Sequence, residues 1–305
     1  MRINQTGKIV DNLYLLGHIS VHIYLLDVPV PVLFDAGISV LSRQYVKEIR
    51  KILGNRTPAY LFITHAHWDH VGAASYFKTV WPDIRIVGSP KTQEILGKPS
   101  AVRLIKDLNY DAAGMIGLDK TVTTHKVPFE TFNLDETLTP GQIIELSPGY
   151  SIHAIHTPGH TWDFTSYWIP ERKILIAAEA AGCDDGSGLI SAEFLVDYDT
   201  YLNSLGYLAQ LDLEVLCLGH AVALTGPDAR RHLQHSFEHA DNYVTMVEGF
   251  LRQEKGVIKR VVNRVKAIEW DPRPWPKQPE KPYLINTIVR VKIIWERMQK
   301  ENSSC

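Results

Sequence analysis

The chain has 305 residues, 45% hydrophobic and 22% charged, the balance of a soluble globular protein long enough to bury a sizeable core. A formal net charge of −2 gives no basic field to attract nucleic acid. No apolar run reaches the roughly 18 residues of a membrane span, and Met1-Arg2-Ile3-Asn4-Gln5 is not a signal peptide, so no membrane partner is expected and the expected compartment is the cytoplasm.

The chain opens with strands. Leu13–Leu16, His22–Leu26 and Val30–Phe34 are apolar runs separated by turns at Gly17-His18 and Asp27-Val28-Pro29, which predicts a meander. His18 and His22 read as packed or exposed strand residues. Apolar residues at Leu41, Tyr45, Val46, Ile49 and Leu53 predict a helix that Gly54 stops. Tyr60-Leu61-Phe62-Ile63 is another buried strand. Directly after it comes Thr64-His65-Ala66-His67-Trp68-Asp69-His70, followed by Val71-Gly72. Four of those seven residues bind metal readily. In an extended loop, residues i and i+2 point the same way, so His65 and His67 pair on one ion while Asp69 and His70 face a second position. Imidazole and carboxylate suit zinc, iron or manganese. A helix is expected from near Gly72.

Ile84–Gly88 reads as a strand, Pro90 as the first residue of a helix, and Ala101–Tyr110 as a further helix. Two strands are expected around Thr139-Pro140-Gly141, a turn signal. Tyr150–His156 alternates and leads into Thr157-Pro158-Gly159-His160-Thr161; His153 and His156, an odd number of residues apart, face opposite sides of that strand. Phe164–Ile169 and Lys173–Ile176 predict a hairpin around Pro170-Glu171-Arg172. Ala180–Leu195 is glycine-rich and irregular and is expected to line a pocket. Asp199–Leu211 reads as a helix and Leu213–Leu218 as a strand, ending at Gly219-His220. The three cysteines, Cys183, Cys217 and Cys305, have no zinc-like spacing and imply no disulfide framework.

After Thr225-Gly226-Pro227 the pattern becomes helical: Asp228–Gln253, Val257–Trp270 and, beyond the proline-rich Asp271–Pro276, Leu284–Lys300. His232, His235 and His239 share a face of the first of these helices; with metal donors already supplied elsewhere, that face reads as solvated or lid-lining.

The stretch His65-Ala66-His67-Trp68-Asp69-His70 has the H-x-H-x-D-H signature, and here the chain resembles the metallo-β-lactamase superfamily. Thr157–Thr161 is similar to its third motif, Ala178-Glu179 stands where the family usually has Gly-Asp, Leu216–His220 is similar to its last motif, and Asp35-Ala36-Gly37 is similar to its D-x-G turn, whose Asp supports ligands. The resemblance implies an α/β fold, the αβ/βα four-layer sandwich, over residues 1–226, with residues 227–305 packed on it as a helical lid or a homodimer surface. It implies a first metal on His65, His67 and His160, a second on Asp69, His70 and His220, and Glu179 as the bridge, with Asp184 and Asp185 as possible substitutes for Glu179.

Within the superfamily, Leu15-Leu16-Gly17, Ser100–Arg103 with Leu108-Asn109, Tyr201–Leu205 and the helical tail most resemble the branch of 2-aminobenzoylacetyl-CoA thioesterases. Cys183 replaces a pocket glutamate of that branch, so Cys183 and Trp68 are candidate pocket residues. The implied reaction is hydrolysis of a small-molecule thioester by hydroxide bridging two divalent ions, with Asp69 orienting the nucleophile and taking its proton. The alternatives are a glyoxalase II-type hydroxyacylglutathione hydrolase, a phosphodiesterase, against which the lack of a basic stretch counts, and a partner-binding regulator that keeps the metal site.

Overall fold

The computed structural model describes residues 1–118, 127–185, 189–273 and 277–303. The Gly-rich centre of the pocket segment (186–188), the prolines at 274–276 and Cys305 lie outside them.

The chain starts with β1 (Arg2–Ile3), which pairs with the last strand of the molecule. A first seven-stranded sheet follows: β2 (Gly7–Val10), β3 (Leu13–His18), β4 (Val21–Leu26), β5 (Val32–Phe34), β6 (Tyr60–Phe62), β7 (Arg85–Gly88) and β8 (Glu136–Thr137), in that spatial order. It is a meander up to β5 and parallel from β5 to β8. The second sheet has the order β1-β16-β15-β12-β11-β10-β9. Its other strands are β9 (Ile143–Ser147), β10 (Tyr150–His156), β11 (Thr165–Ile169), β12 (Ile174–Ile176), β15 (Val215–Cys217) and β16 (Ala223–Thr225). Between them, β13 (Cys183–Asp184) and β14 (Ile190–Ser191) form a separate two-stranded ribbon.

Apolar side chains from both sheets meet in one core, including Leu13, Leu15, Phe34, Phe62, Tyr167, Ile176 and Cys217. Helices cover the outer faces. On the first sheet lie α1 (Ser42–Leu53), α2 (Trp68–Val71), α3 (Ala74–Val80), α4 (Pro90–Leu96) and α5 (Pro99–Met115). On the second lie α6 (Tyr198–Leu208), α7 (Pro227–Gln253), α8 (Ile258–Glu269) and α9 (Glu280–Ser303). This is the αβ/βα sandwich that the sequence implied. Strands β5, β6 and β12 are covered on both faces, so they read as continuous apolar runs rather than alternating ones.

The tail helices do not stand apart from the sheets. Val244, Val247, Val261, Val265, Val291 and Ile294 share a buried cluster with Leu175, Leu205 and Leu216. Among the described residues no helix is long and apolar enough to cross a membrane.

Two local expectations need correction, and a third gains detail. The β3–β4 turn is at Ile19-Ser20 rather than Gly17-His18, because both of the latter still pair with β4. The helix expected near Gly72 begins earlier: α2 already contains Trp68, Asp69 and His70. The two strands expected around Thr139-Pro140-Gly141 are present as β8 and β9, but they do not pair with each other. β8 pairs with β7 in the first sheet and β9 with β10 in the second, so this turn carries the chain from one sheet to the other.

Candidate metal centre

Two parallel strand pairs, β5/β6 and β12/β15, set their carboxyl ends side by side, the position where α/β sheets gather ligand groups. Asp35 follows β5, Thr64–His67 follow β6, Glu179 follows β12, and His220 follows β15. His160 comes from the loop between β10 and β11. Helix α2 then turns Asp69 and His70 inward on its first turn.

The donor atoms fall into overlapping groups, within each of which they lie no more than 4.8 Å apart: His65, His67 and His160; His65, His70 and Glu179; Asp69, His70 and His220; and Glu179, Cys183 and His220. All seven candidate ligands named from the sequence are therefore brought together. His160 Nε2 lies 3.1 Å from His67 Nδ1. Glu179 Oε1 lies 3.1 Å from His70 Nε2 and 2.9 Å from His220 Nε2, and its Oε2 lies 3.9 Å from His65 Nε2. Asp69 Oδ2 is 3.6 Å from His220 Nε2.

The outward nitrogens are tied down. His70 Nδ1 donates to Asp35 Oδ2 (2.8 Å), His160 Nδ1 to the Glu193 carbonyl (2.6 Å), and His220 Nδ1 to the Ser20 carbonyl (2.6 Å). His65 Nδ1 meets Thr64 Oγ1 at 3.0 Å, and that hydroxyl donates to Asp35. These bonds orient the rings and leave Nε2 of each facing the others, as partners of metal-binding histidines do. His65 Nε2 and Glu179 Oε2 are buried with no hydrogen-bond partner among the described residues. Leaving such atoms unpaired costs about 1–3 kcal/mol each. An imidazole lone pair and a carboxylate oxygen close to one another are what a divalent cation satisfies, so the residues present fit a divalent metal.

The electrostatics agree. Burial pushes the His65 imidazole well below its ordinary range, with His70 and His67 adding to the effect; burial and His67 bring His160 down to about 3. Both stay neutral, as ligands must. Burial would depress His70 and His220 too. The Glu179 and Asp35 charges instead raise His70 well above its usual value, and the hydrogen bond and charge of Glu179 raise His220 to about 9. Burial alone would raise the Glu179 carboxyl, yet the His70 charge and the bond to His220 hold it well below. Without a metal, the protonated His70 and His220 compensate the buried carboxylates around them, a role that a divalent ion would take over.

The remaining sequence candidates separate. Asp184 is buried against Arg2 Nη2 at 2.6 Å, and Asp185 lies 3.5 Å from Arg273 Nη1; neither is in a donor group. Cys183, named as a pocket residue, is half-buried beside Glu179 and His220, with burial pushing its thiol well up. Trp68 packs its ring on the first-sheet core and gives its carbonyl to Asn109 Nδ2. His153 and His156 stay outside the cluster. The His232 face is not solvated throughout: His232 is buried and bonds the Ala181 carbonyl, while His235 is exposed.

Sequence reasoning missed Asp163. Its carboxylate, fully buried, accepts from the Ala66 amide at 2.8 Å and from Thr92 Oγ1 at 2.9 Å, fixing the loop between His65 and His67. Its place three residues after His160 was the available signal. Asn109 carries no motif signal for its role, in which its amide spans from Trp68 to Ser39.

A family model described as the metallo-β-lactamase superfamily matches residues 18–220, well over half of the 305 residues. The chain belongs to the metallo-β-lactamase superfamily. The probable metallo-hydrolase YflN of Bacillus subtilis (strain 168) is 24% identical over 216 residues, covering 66% of this chain and 79% of that protein. Among solved structures, a metallo-β-lactamase family protein of Thermus thermophilus superposes with a TM-score of 0.63 at 18% identity, over 97% of this chain and 95% of that one. An archaeal superfamily protein of Sulfolobus tokodaii superposes with a TM-score of 0.57 at 15% identity, over 97% and 98%. At such identities the likeness is one of fold. Family and site together define a hydrolase whose His, Asp and Glu side chains could hold metal.

Proposed function

We propose that the protein is a dinuclear metal-dependent thioesterase of the 2-aminobenzoylacetyl-CoA thioesterase type. The observation that carries the dinuclear reading is Glu179, whose carboxylate lies between His65 on one side and His70 and His220 on the other. His65, His67 and His160 would hold one ion, and Asp69, His70 and His220 the other, with Glu179 shared. Two divalent ions of zinc, iron or manganese, when bound, supply hydroxide at neutral pH and polarise a carbonyl.

The chain's own residues do the rest. Asp69, on the first turn of α2, orients the nucleophile and accepts its proton. Asp35 and Thr64 fix His70 and His65, and Asp163 fixes the loop between the first two histidines. Among the described residues, the cluster holds no strong general acid besides Asp69 with the proton it takes up: the histidines face the metal positions, and burial keeps the Cys183 thiol protonated. A thiolate leaves without such help, which favours a thioester over an amide. The half-buried Cys183 and Trp68 border the acyl pocket, and residues 227–305 close it as a lid.

A screen over acyl-CoA, acyl-glutathione, lactone and phosphodiester substrates tests this. Turnover is expected on acyl-CoA, and His65→Ala or Asp69→Asn should lower kcat at least about a hundredfold. Thioesters left untouched while a phosphodiester is cut would refute the substrate class.

A further inference from the structure

The last helix carries a fully buried arginine whose partners lead back to the metal cluster. Arg290, on α9, is 1% exposed. Its Nη1 donates to the Ala192 carbonyl at 2.9 Å, and its Nη2 reaches Thr287 Oγ1 at 3.2 Å and Glu269 Oε2, from α8, at 3.3 Å. Its guanidinium lies over the Tyr243 ring of α7, 4.4 Å from the centroid. One side chain thus ties three tail helices to a single backbone carbonyl.

The residue after Ala192 is Glu193, whose carbonyl accepts the His160 Nδ1–H bond at 2.6 Å. Asn286, one turn before Arg290, donates to the Glu193 carboxylate at 3.3 Å. The same segment is pinned from the other side: the Leu195 and Val196 amides donate to the Gly159 carbonyl at 3.0 and 3.1 Å. Gly159 has φ +131°, and a Cβ there would lie 2.3 Å from Tyr201 Cα, so the His160 loop has little room to move away. Residues 192–196 form a wedge between α9 and His160, and the position of the wedge sets the orientation of that ring.

We propose that Arg290 is a positioning residue for the metal site, holding the Ala192–Glu193 carbonyls so that His160 presents Nε2 toward His67 and His65. The inference rests on the reading of His65, His67 and His160 as ligands. It makes the helical tail part of the metal site's construction, beyond any role as a cover. A fixed planar fork is needed to serve Ala192, Thr287 and Glu269 together, so lysine should not replace it fully even though the charge is kept.

The test is metal affinity, measured by chelator competition on the full-length protein with zinc as probe. Groups that orient a ligand typically change affinity about 10–100-fold. Arg290→Lys is expected to weaken one of the two bound ions by about tenfold, the lower end of that range because it acts through the backbone, and to leave the other unchanged. Asn286→Ala should move the same ion in the same direction by less. Val291→Ala, a fully buried neighbour whose side chain offers no hydrogen bond to Ala192 or Glu193, is the control: it should lower the melting temperature and leave both affinities alone. Equal weakening in Val291→Ala and Arg290→Lys, or unchanged affinity in Arg290→Lys, overturns the inference while leaving the ligand reading intact. A wild-type protein that binds no zinc overturns both.

Discussion

Glu179 is one methylene longer than the aspartate usual at this place in the family, and two backbone positions beside it are tightly constrained. Ala178, before it, takes φ +41°, a left-handed conformation that costs a non-glycine residue about 1–2 kcal/mol. Gly219, just before His220, makes room for the carboxylate: a Cβ there would sit 2.2 Å from Glu179 Oε1. Gly219→Ala is therefore expected to lower metal content and activity at least about tenfold, and the shorter carboxylate of Gly219→Ala/Glu179→Asp should recover part of both. Glu179→Ala should lose both, whereas Asp184→Ala, which removes the carboxylate beside Arg2, should keep its metal. Metal analysis of the four variants decides; an Asp184 variant that loses an ion would move the assignment to that residue. At this scale the donors were legible, because spacing within the motifs exposes which residues share a loop. Asp163 and Asn109 were not, because their partners lie far away in sequence and a lone buried Asp or Asn has no periodicity to betray it. Ala178 and Gly219 were visible as residues, but their backbone angle and clearance are properties of the fold.

Among the elements, apolar runs marked the strands, and caps and prolines marked the helices, including Ser89-Pro90, whose serine accepts from the Thr92 amide. Lost to the sequence was the partition of β8 and β9 between two sheets, since strand pairing is set by packing that a turn signal does not encode. The start of α2 was also hidden, because metal-binding residues disguise its first turn. The helical tail was legible as helices packed on the sandwich, but which of its side chains complete the core was not. Val247, Val261, Val265, Val291 and Ile294 are all fully buried in a cluster with strand and α6 residues. Truncation after Gly226 should accordingly strip an apolar surface from the second sheet and give an aggregating protein. Light scattering and kinetics on the truncated chain check this; a soluble, kinetically unchanged product would show that α7–α9 neither complete the core nor bound the site.

For the molecule as a whole, burial leaves its mark on stability against pH. His22 and His232 are buried, and burial holds each neutral down to about 4. In the unfolded chain they take a proton near 6.5. Between those values the unfolded state binds protons that the folded state refuses, so stability falls as pH drops from about 6.5 to 4. Glu193 opposes this. Burial raises its carboxyl to about 7 against an ordinary 4.5, so the folded chain keeps a proton that the unfolded one loses, and stability rises as pH falls through that interval. Burial also opposes protonation of His65, His67 and His160 in the metal-free chain, in the same direction as His22 and His232, so acidification leaves a net loss. His232→Gln keeps a donor for the Ala181 carbonyl but removes one titration, so the decline should be shallower. Denaturant midpoints of metal-free protein from about pH 7 to 4 test this, and a slope identical to wild type would contradict it.

The central claim is that the overlapping donor groups around Glu179 hold a pair of ions on which thioester hydrolysis depends. Its most direct test is elemental analysis of protein purified without chelator, followed by thioester turnover before and after the metal is stripped and restored. The account predicts about two transition-metal ions per chain, activity lost with them and regained on their return. A metal-free preparation that remains fully active would contradict it.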